Sequence, residues 1–250
     1  MTSVPYIELH CHSNFSFLDG ASDPEALVDR AVELGYPALA ITDTNGLYGI
    51  VRFDQQARRA GLRPIFGAAA LLDTGHRLVL LVKDGAGYAN LSELLSTAQL
   101  ESPKGEARVS RALLERHADG LIALVHDDLA ACLLREEHSE AERLLADYRD
   151  LYGRDHVYVE LRHHNLPVHE HLCAALVRLG RRLGLPAVAA NDVHYAAPDG
   201  RRLQDVLTCI RHHTTLDEAG ELLYPNAERC LQPPAVMARR FARYPEAAAH

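Results

Sequence analysis

The chain has 250 residues, 48% of them hydrophobic, enough to bury one sizeable core. Its formal net charge is -8 with histidine neutral, so it lacks the basic surplus by which a domain holds nucleic acid unaided. No apolar stretch could span a bilayer, residues 1–10 lack the basic and apolar regions expected of a signal peptide, and five cysteines without a CxxC pair argue against a disulfide framework or zinc ribbon. A reducing cytoplasm is therefore the expected location. The 15 histidines are several-fold above ordinary usage, and their placement becomes the main question.

Taken in chain order, the first expected strand is Val4–Leu9, which ends in His10-Cys11-His12-Ser13. A helix over Asp23–Leu34 follows, with Ser22 or Asp23 as its cap, Pro24 in its first turn and Gly35 as its stop. Strand Ala38–Thr42 leads into Asp43-Thr44-Asn45 and then a helix over Gly49–Ala60. Strands Pro64–Leu72 and Leu78–Val82 flank a Thr74-Gly75 turn and His76, before a helix over Tyr88–Gln99. Strand Leu121–Val125 ends in His126-Asp127-Asp128 and is followed by helices over Asp128–Glu136 and Ser139–Leu151. Strand Val157–Leu161 ends in Arg162-His163-His164-Asn165, ahead of a helix over Val168–Leu183. The last strand, Ala187–Ala190, runs into Asn191-Asp192-Val193-His194 and a helix over Arg201–Arg211. A further helix is expected from Pro233.

Alternation of this kind implies parallel strands with right-handed crossovers, and seven strands suit a closed α/β barrel in one domain. An open doubly wound sheet is the rival. No G-x-G-x-x-G or Walker A sequence follows any strand, which removes the usual support for dinucleotide or P-loop binding. In parallel folds the carboxyl ends of the strands meet at one face. Five segments would thus bring His and Asp side chains to a single rim. Imidazole and carboxylate suit Zn, Mn or Fe, and two histidines at i and i+2 beyond a strand can take up one ion. His169-Glu170-His171 falls in a helical segment, where i and i+2 diverge, and reads as coincidence.

The strings ELHCHSNFSFLDGAS (8–22), LGYPALAITDTNGLYGIVRF (34–53), HRLVLLVKDGAGYANL from His76 and AANDVHYAAPDGRRLQDVL from Ala189 carry a family resemblance. In that order they resemble the motifs of the PHP (polymerase and histidinol phosphatase) domain of bacterial DNA polymerase III alpha subunits. The stretch PNAERCLQPPAVMARRF (225–241) is similar to the error-prone branch of that family. The resemblance spans nearly the whole chain and implies a distorted (β/α)7 TIM-like barrel over residues 1–250. Residues 233–250 would then lead towards a following domain or a truncated end.

It also implies a site for up to three divalent ions (Zn, Mn or Fe). Matched position by position, the ligands would be His10, His12, Asp19, His76, Asp127, Asp192 and His194, with His10, His12, Asp192 and His194 also the catalytic candidates. Asp127 stands where alpha subunits often carry a cysteine, with His126 beside it as a substitute. Two family ligands are missing: Thr44 replaces a histidine, and Ala69 replaces a glutamate that bridges two ions. Fewer ions than the family's full set are therefore expected.

Each residue also has a plainer reading. Asp19 suits an Asp-Gly turn, His76 an exposed turn and Asp127 a helix cap, while Asp43 could orient a ligand histidine or cap the next segment. Glu160, His163 and His164 sit where a phosphate could be met, and Cys11 is expected to point into the barrel. Three functions are in play. The first is a metal-dependent phosphoesterase, a hydrolase acting as 3′–5′ exonuclease on DNA ends or as pyrophosphatase, in replication or repair. The second is a non-catalytic module bracing polymerase domains or subunits. The third is a free-standing phosphomonoesterase of the histidinol phosphatase kind. No polymerase active site is recognisable within these residues, and no membrane partner is expected.

Overall fold

Six strands form one curled sheet in chain order: β1 (Ala38–Thr44), β2 (Arg63–Leu71), β3 (Arg77–Val82), β4 (Leu121–Val125), β5 (Val157–Arg162) and β6 (Ala187–Ala190). The structure is a computed structural model that describes residues 6–248, so Val4 and Pro5 of the first expected strand lie outside the described residues. The helices are α1 (Pro24–Glu33), α2 (Ile50–Ala60), α3 (Gly85–Glu101), α4 (Arg111–Arg116), α5 (Asp127–Leu134), α6 (His138–Tyr152), α7 (Pro167–Leu183), α8 (Arg201–His212) and α9 (Pro234–Arg240).

Local chemistry sets their limits. Asp23 caps α1 by accepting the Ala26 N–H at 2.8 Å, and Pro24 pre-sets its first turn. Asp84 caps α3 through the Gly87 N–H at 3.0 Å, so that helix begins a turn before the expected Tyr88. The short α4, capped by Ser110, is too brief to show a period in sequence.

The seventh wall of the barrel is not a regular strand. Residues 8–12 fill the gap between β1 and the chain beyond β6 through isolated parallel bridges, Glu8 to Leu39 and Cys11 to Val193. On one side Ala40 N–H donates to the Glu8 carbonyl (2.9 Å) and Thr42 N–H to that of Cys11 (2.8 Å). On the other, Val193 N–H donates to the His10 carbonyl and His12 N–H to that of Val193, both at 2.8 Å. Leu9 packs against the barrel interior and His10 turns towards the mouth, which breaks strand alternation. Cys11 consequently joins the outer core with Leu39 and Ile41 rather than pointing into the barrel as expected.

The expectation of parallel strands throughout fails at β3. It runs antiparallel to both β2 and β4, whereas the other pairs are parallel. The cause lies in the connection: Leu72 N–H donates to the His76 carbonyl at 2.8 Å, closing a hairpin too short for a crossover. Gly75, at φ 86°, supplies its left-handed corner. Reversal brings the start of β3, not its end, to the mouth where the other strands finish.

The interior is apolar below that mouth. Ala40, Ala69, Val79, Leu81, Leu124 and Val188 form its ring, with a cavity of about 380 Å³ bounded by Leu9, Ile65, Ile122 and Tyr158 among others. Outside the sheet, Leu39, Leu80, Val125 and Val159 pack against Leu27, Phe53, Leu94 and Leu176 of the helices. The final stretch folds back on this layer, burying Met237 and Phe241. Among the described residues no helix is long and apolar enough to cross a membrane.

Candidate metal centre

Two segments that meet at the barrel seam build the site. His10 and His12 leave the irregular seventh wall, and Asp192 and His194 leave the chain beyond β6. Nε2 of His10 and Nε2 of His12 lie 3.1 Å apart, and each is 3.5 Å from Oδ1 of Asp192. Nε2 of His194 is 3.3 Å from the same oxygen. All four residues are buried. Among the described residues, His10, His12 and Asp192 are the one set of three His, Cys, Asp or Glu whose ligand atoms all lie within 4.8 Å of one another.

The far nitrogen of each ring fixes its tautomer. Nδ1 of His10 faces Oε1 of Glu160 at 2.8 Å, an acceptor only. Nδ1 of His12 faces Oγ of Ser16 at 3.1 Å, and that hydroxyl already donates to Oδ1 of Asp43 at 2.7 Å. Nδ1 of His194 faces the Asp19 carbonyl at 2.5 Å. Every Nδ1 therefore carries a proton and donates it, so that in a neutral ring the lone pair lies on Nε2. Three Nε2 atoms and a carboxylate oxygen converge, and Oδ1 of Asp192 has no hydrogen-bond partner. Such a set of buried acceptors is repulsive by itself and fits a divalent cation. Asp192 also holds a left-handed backbone, φ 46°, a conformation that costs roughly 1–3 kcal/mol outside glycine.

Electrostatics around the centre agree with this assignment of protons. Burial lowers the pKa of His10 and His12, outweighing Glu160 beside the first and Asp192 beside both, so the rings stay neutral. Burial alone would raise Asp192, but Arg229, His10 and Arg162 hold it well below the usual carboxylate range. Oδ2 of Asp192 accepts from Nη1 of Arg229 and, at 3.4 Å, from Nη1 of Arg162.

The remaining expected ligands are placed elsewhere. Asp19 has both carboxylate oxygens engaged, by Nη2 of Arg77 and Nη1 of Arg211, each at 2.6 Å. It meets the centre through its carbonyl, with Oδ1 3.8 Å from Nδ1 of His194. The tight turn that aims this carbonyl presses Gly20 against Ser13, where any Cβ would sit 2.0 Å from the Ser13 oxygen. His76 is tied to Oδ1 of Asp128 at 2.5 Å. Asp127 lies in the first turn of α5, not at its cap, and binds Nη1 of Arg162 (2.8 Å) and the Arg77 N–H (3.1 Å). Thr44 faces Nδ1 of His12 at 3.5 Å, and Ala69 sits in the apolar ring.

Beside the centre lies a pocket of about 320 Å³ whose lining includes Arg162, Arg229, His76, His126, Asp127 and His169. His169 thus reaches the mouth, whereas His171 bonds the Pro167 carbonyl of its own helix. His164 is buried, with Nε2 on the Asn191 carbonyl at 2.8 Å, and His163 lies near Glu170 on the helix side.

Several participants have no motif signal of their own. Glu8 accepts the N–H groups of His10 (3.0 Å) and Asn191 (3.1 Å), pinning both halves of the seam, and Tyr6 O–H at 2.8 Å. Burial pushes its carboxyl up to about 7 against these donors. Tyr224 places its hydroxyl 3.2 Å from Nε2 of His194, and the Arg229 guanidinium lies over the Tyr224 ring. The apolar neighbours of Glu8 and the distance in sequence of residues 224–229 hide these roles; only the fold reveals them.

Comparison with known proteins follows the same lines. A profile of the PHP domain matches residues 8–164. An error-prone DNA polymerase of Pseudomonas syringae pv. syringae (strain B728a) is 44% identical over 230 residues, 91% of this chain and 22% of the relative. One from Anaeromyxobacter sp. (strain K) is 43% identical over 258 aligned positions, covering 98% of this chain and again 22% of the relative. The chain thus spans about a fifth of these curated relatives. Among solved structures, an amidohydrolase from Chromobacterium violaceum, with bound sulfate and no metal, superimposes with a TM-score of 0.55 at 19% identity over 78% of this chain and 89% of that one. The likeness shows a shared fold.

Proposed function

Because the chain belongs to the PHP domain family, we propose that the seam cluster binds a divalent ion and carries out phosphoester hydrolysis. The observation that carries this reading is the convergence of three imidazole Nε2 atoms on a carboxylate oxygen without a donor. His10, His12 and Asp192 would hold the ion, with His194 in reach as a further ligand. The donor set suits Zn, Mn or Fe. When bound, such an ion acidifies water and offsets the charge of a phosphate oxygen.

The chain's own residues supply the rest. Arg162 and Arg229 line the adjacent pocket and would orient a phosphate there, while the Tyr224 hydroxyl would handle protons at the edge of the centre. The relatives' names support a setting within an error-prone DNA polymerase, with the other polymerase domains as partners; the substrate proposed for that setting is a DNA 3′ end or pyrophosphate. Five buried free cysteines accord with a cytoplasmic location.

A second reading has a specific observation behind it. Thr44 and Ala69 offer no ligand where the family has a histidine and a bridging glutamate, which favours a module that braces a polymerase without catalysis. One experiment separates the two. Protein loaded with Mn²⁺ is assayed on a 3′-end-labelled oligonucleotide and on pyrophosphate, beside Asp192→Asn and His12→Ala. Hydrolysis that falls at least ~100-fold in both variants supports catalysis. Stoichiometric metal without hydrolysis of either substrate leaves the bracing role, and hydrolysis unchanged in both variants would place the activity elsewhere.

A further inference from the structure

We infer that the mouth is built for a single divalent ion, with arginine guanidinium groups occupying the charge positions that further ions would need. The inference rests on the metal reading above and narrows it. Asp19, Asp127, Glu160 and Asp192 crowd this end of the barrel, beside Asp43, whose carboxylate is held by Ser13 and Ser16, and Asp128, held by His76 and Tyr148. Two metal ions could be held close together only if carboxylate charge were free to offset their repulsion.

That charge is already engaged. Arg77 and Arg211 take both oxygens of Asp19 at 2.6 Å. Arg162 binds Oε2 of Glu160 at 2.6 Å and Oδ1 of Asp127 at 2.8 Å, while Oε1 of Glu160 serves Nδ1 of His10. Arg229 and Arg162 share Oδ2 of Asp192. Oδ1 of Asp192 alone among these oxygens lacks a donor, and it is the atom the histidines surround. A guanidinium cannot be deprotonated in a protein, so it competes with a metal ion for a carboxylate at every accessible pH.

The two substitutions fit the same arrangement. Ala69 lies in the apolar ring with Val79 and Leu81, so no bridging carboxylate rises from β2. Thr44 presents only a hydroxyl near His12. Arg77 reaches Asp19 because β3 is reversed and begins at the mouth.

The test counts ions. The 250-residue chain is stripped with chelator, equilibrated with excess Mn²⁺, desalted, and analysed for metal per chain and for its electron paramagnetic resonance. We expect about one ion per chain with the hyperfine pattern of an isolated Mn²⁺, lost in Asp192→Asn. Thr44→His with Ala69→Glu should remain at about one ion, because the arginines still hold the carboxylates; adding Arg77→Met should raise it to about two. Two or more ions in the unaltered chain, or an exchange-coupled spectrum, would overturn the single-ion inference and leave the metal reading intact. No bound ion would overturn the metal reading itself. A second ion in Thr44→His with Ala69→Glu while Arg77 remains would refute the role given to arginine. Should the triple variant fail to fold, the spectrum of the unaltered chain still decides.

Discussion

At the scale of single residues, the centre depends on hydrogen bonds that never touch the ligand position. Ser16 shows this most clearly. Its hydroxyl donates to Asp43, accepts from the Thr44 N–H at 3.0 Å, and is thereby left to receive the proton of Nδ1 of His12. Ser16→Ala removes that acceptor without removing a ligand. Partners of this kind are typically worth 10–100-fold in metal affinity, so the variant should bind Mn²⁺ about tenfold more weakly, measured by chelator competition. Glu160→Gln is a harsher change. It removes the carboxylate that His10 and Arg162 hold well below its usual pKa against the effect of burial, and so leaves a buried guanidinium short of charge. Its unfolding midpoint in urea should fall, by roughly 3–5 kcal/mol in stability.

At the scale of elements, the strands and helices were legible in the order of apolar runs and caps, and β1, β4, β5 and β6 fall where the alternation placed them. The cluster of His10, His12, Asp192 and His194 could be foreseen because all four close a strand or its equivalent at the mouth. What could not be read was direction and saturation. A hairpin of a few residues reverses β3, and nothing in its apolar pattern records which way it runs. The arginines that engage Asp19 and Asp127 come from β3, β5 and α8, far apart in sequence, so their pairing depended on the fold. The turn at Gly20 was legible as an Asp-Gly corner, but its closeness to Ser13 was not. Gly20→Ala should displace that turn, lower stability by roughly 2 kcal/mol or more, and withdraw the Asp19 carbonyl from His194. Equilibrium unfolding and metal binding should both register it, whereas a change in neither would show the turn can yield.

At the scale of the whole molecule, buried neutral histidines set the response to acid. Burial lowers the pKa of His10, His12 and His126, and pushes His164 down to about 2. An unfolded chain would protonate these rings near 6.5, so below that pH it binds protons the fold refuses. Their contribution is therefore present above about pH 6.5 and is lost as pH falls, by about 1.4 kcal/mol per pH unit for each ring that stays neutral. Chelator-treated protein should show a lower melting temperature at pH 5 than at pH 7.5. The carboxyl of Glu8, raised to about 7, acts in the opposite direction, since its stabilising protonation is lost as pH rises through that value. Glu8→Gln should accordingly steepen the acid limb, and a flat profile in the unaltered chain would contradict the assignment of neutral rings.

The irregular seventh wall has a mechanical consequence. The sheet is continuous by ladder pairing from β1 to β6, whereas its two margins meet among the described residues through isolated bridges at residues 8–12. His10 and His12 stand on one margin of that join and Asp192 and His194 on the other, so cation uptake would fasten the cylinder shut where it is weakest. Loading should slow deuterium uptake at the amides of Thr42, His12 and Val193, which span the join, and leave those within the β3–β4 ladder unaltered. Equal protection across both regions would mean that the join opens only when the entire cylinder does.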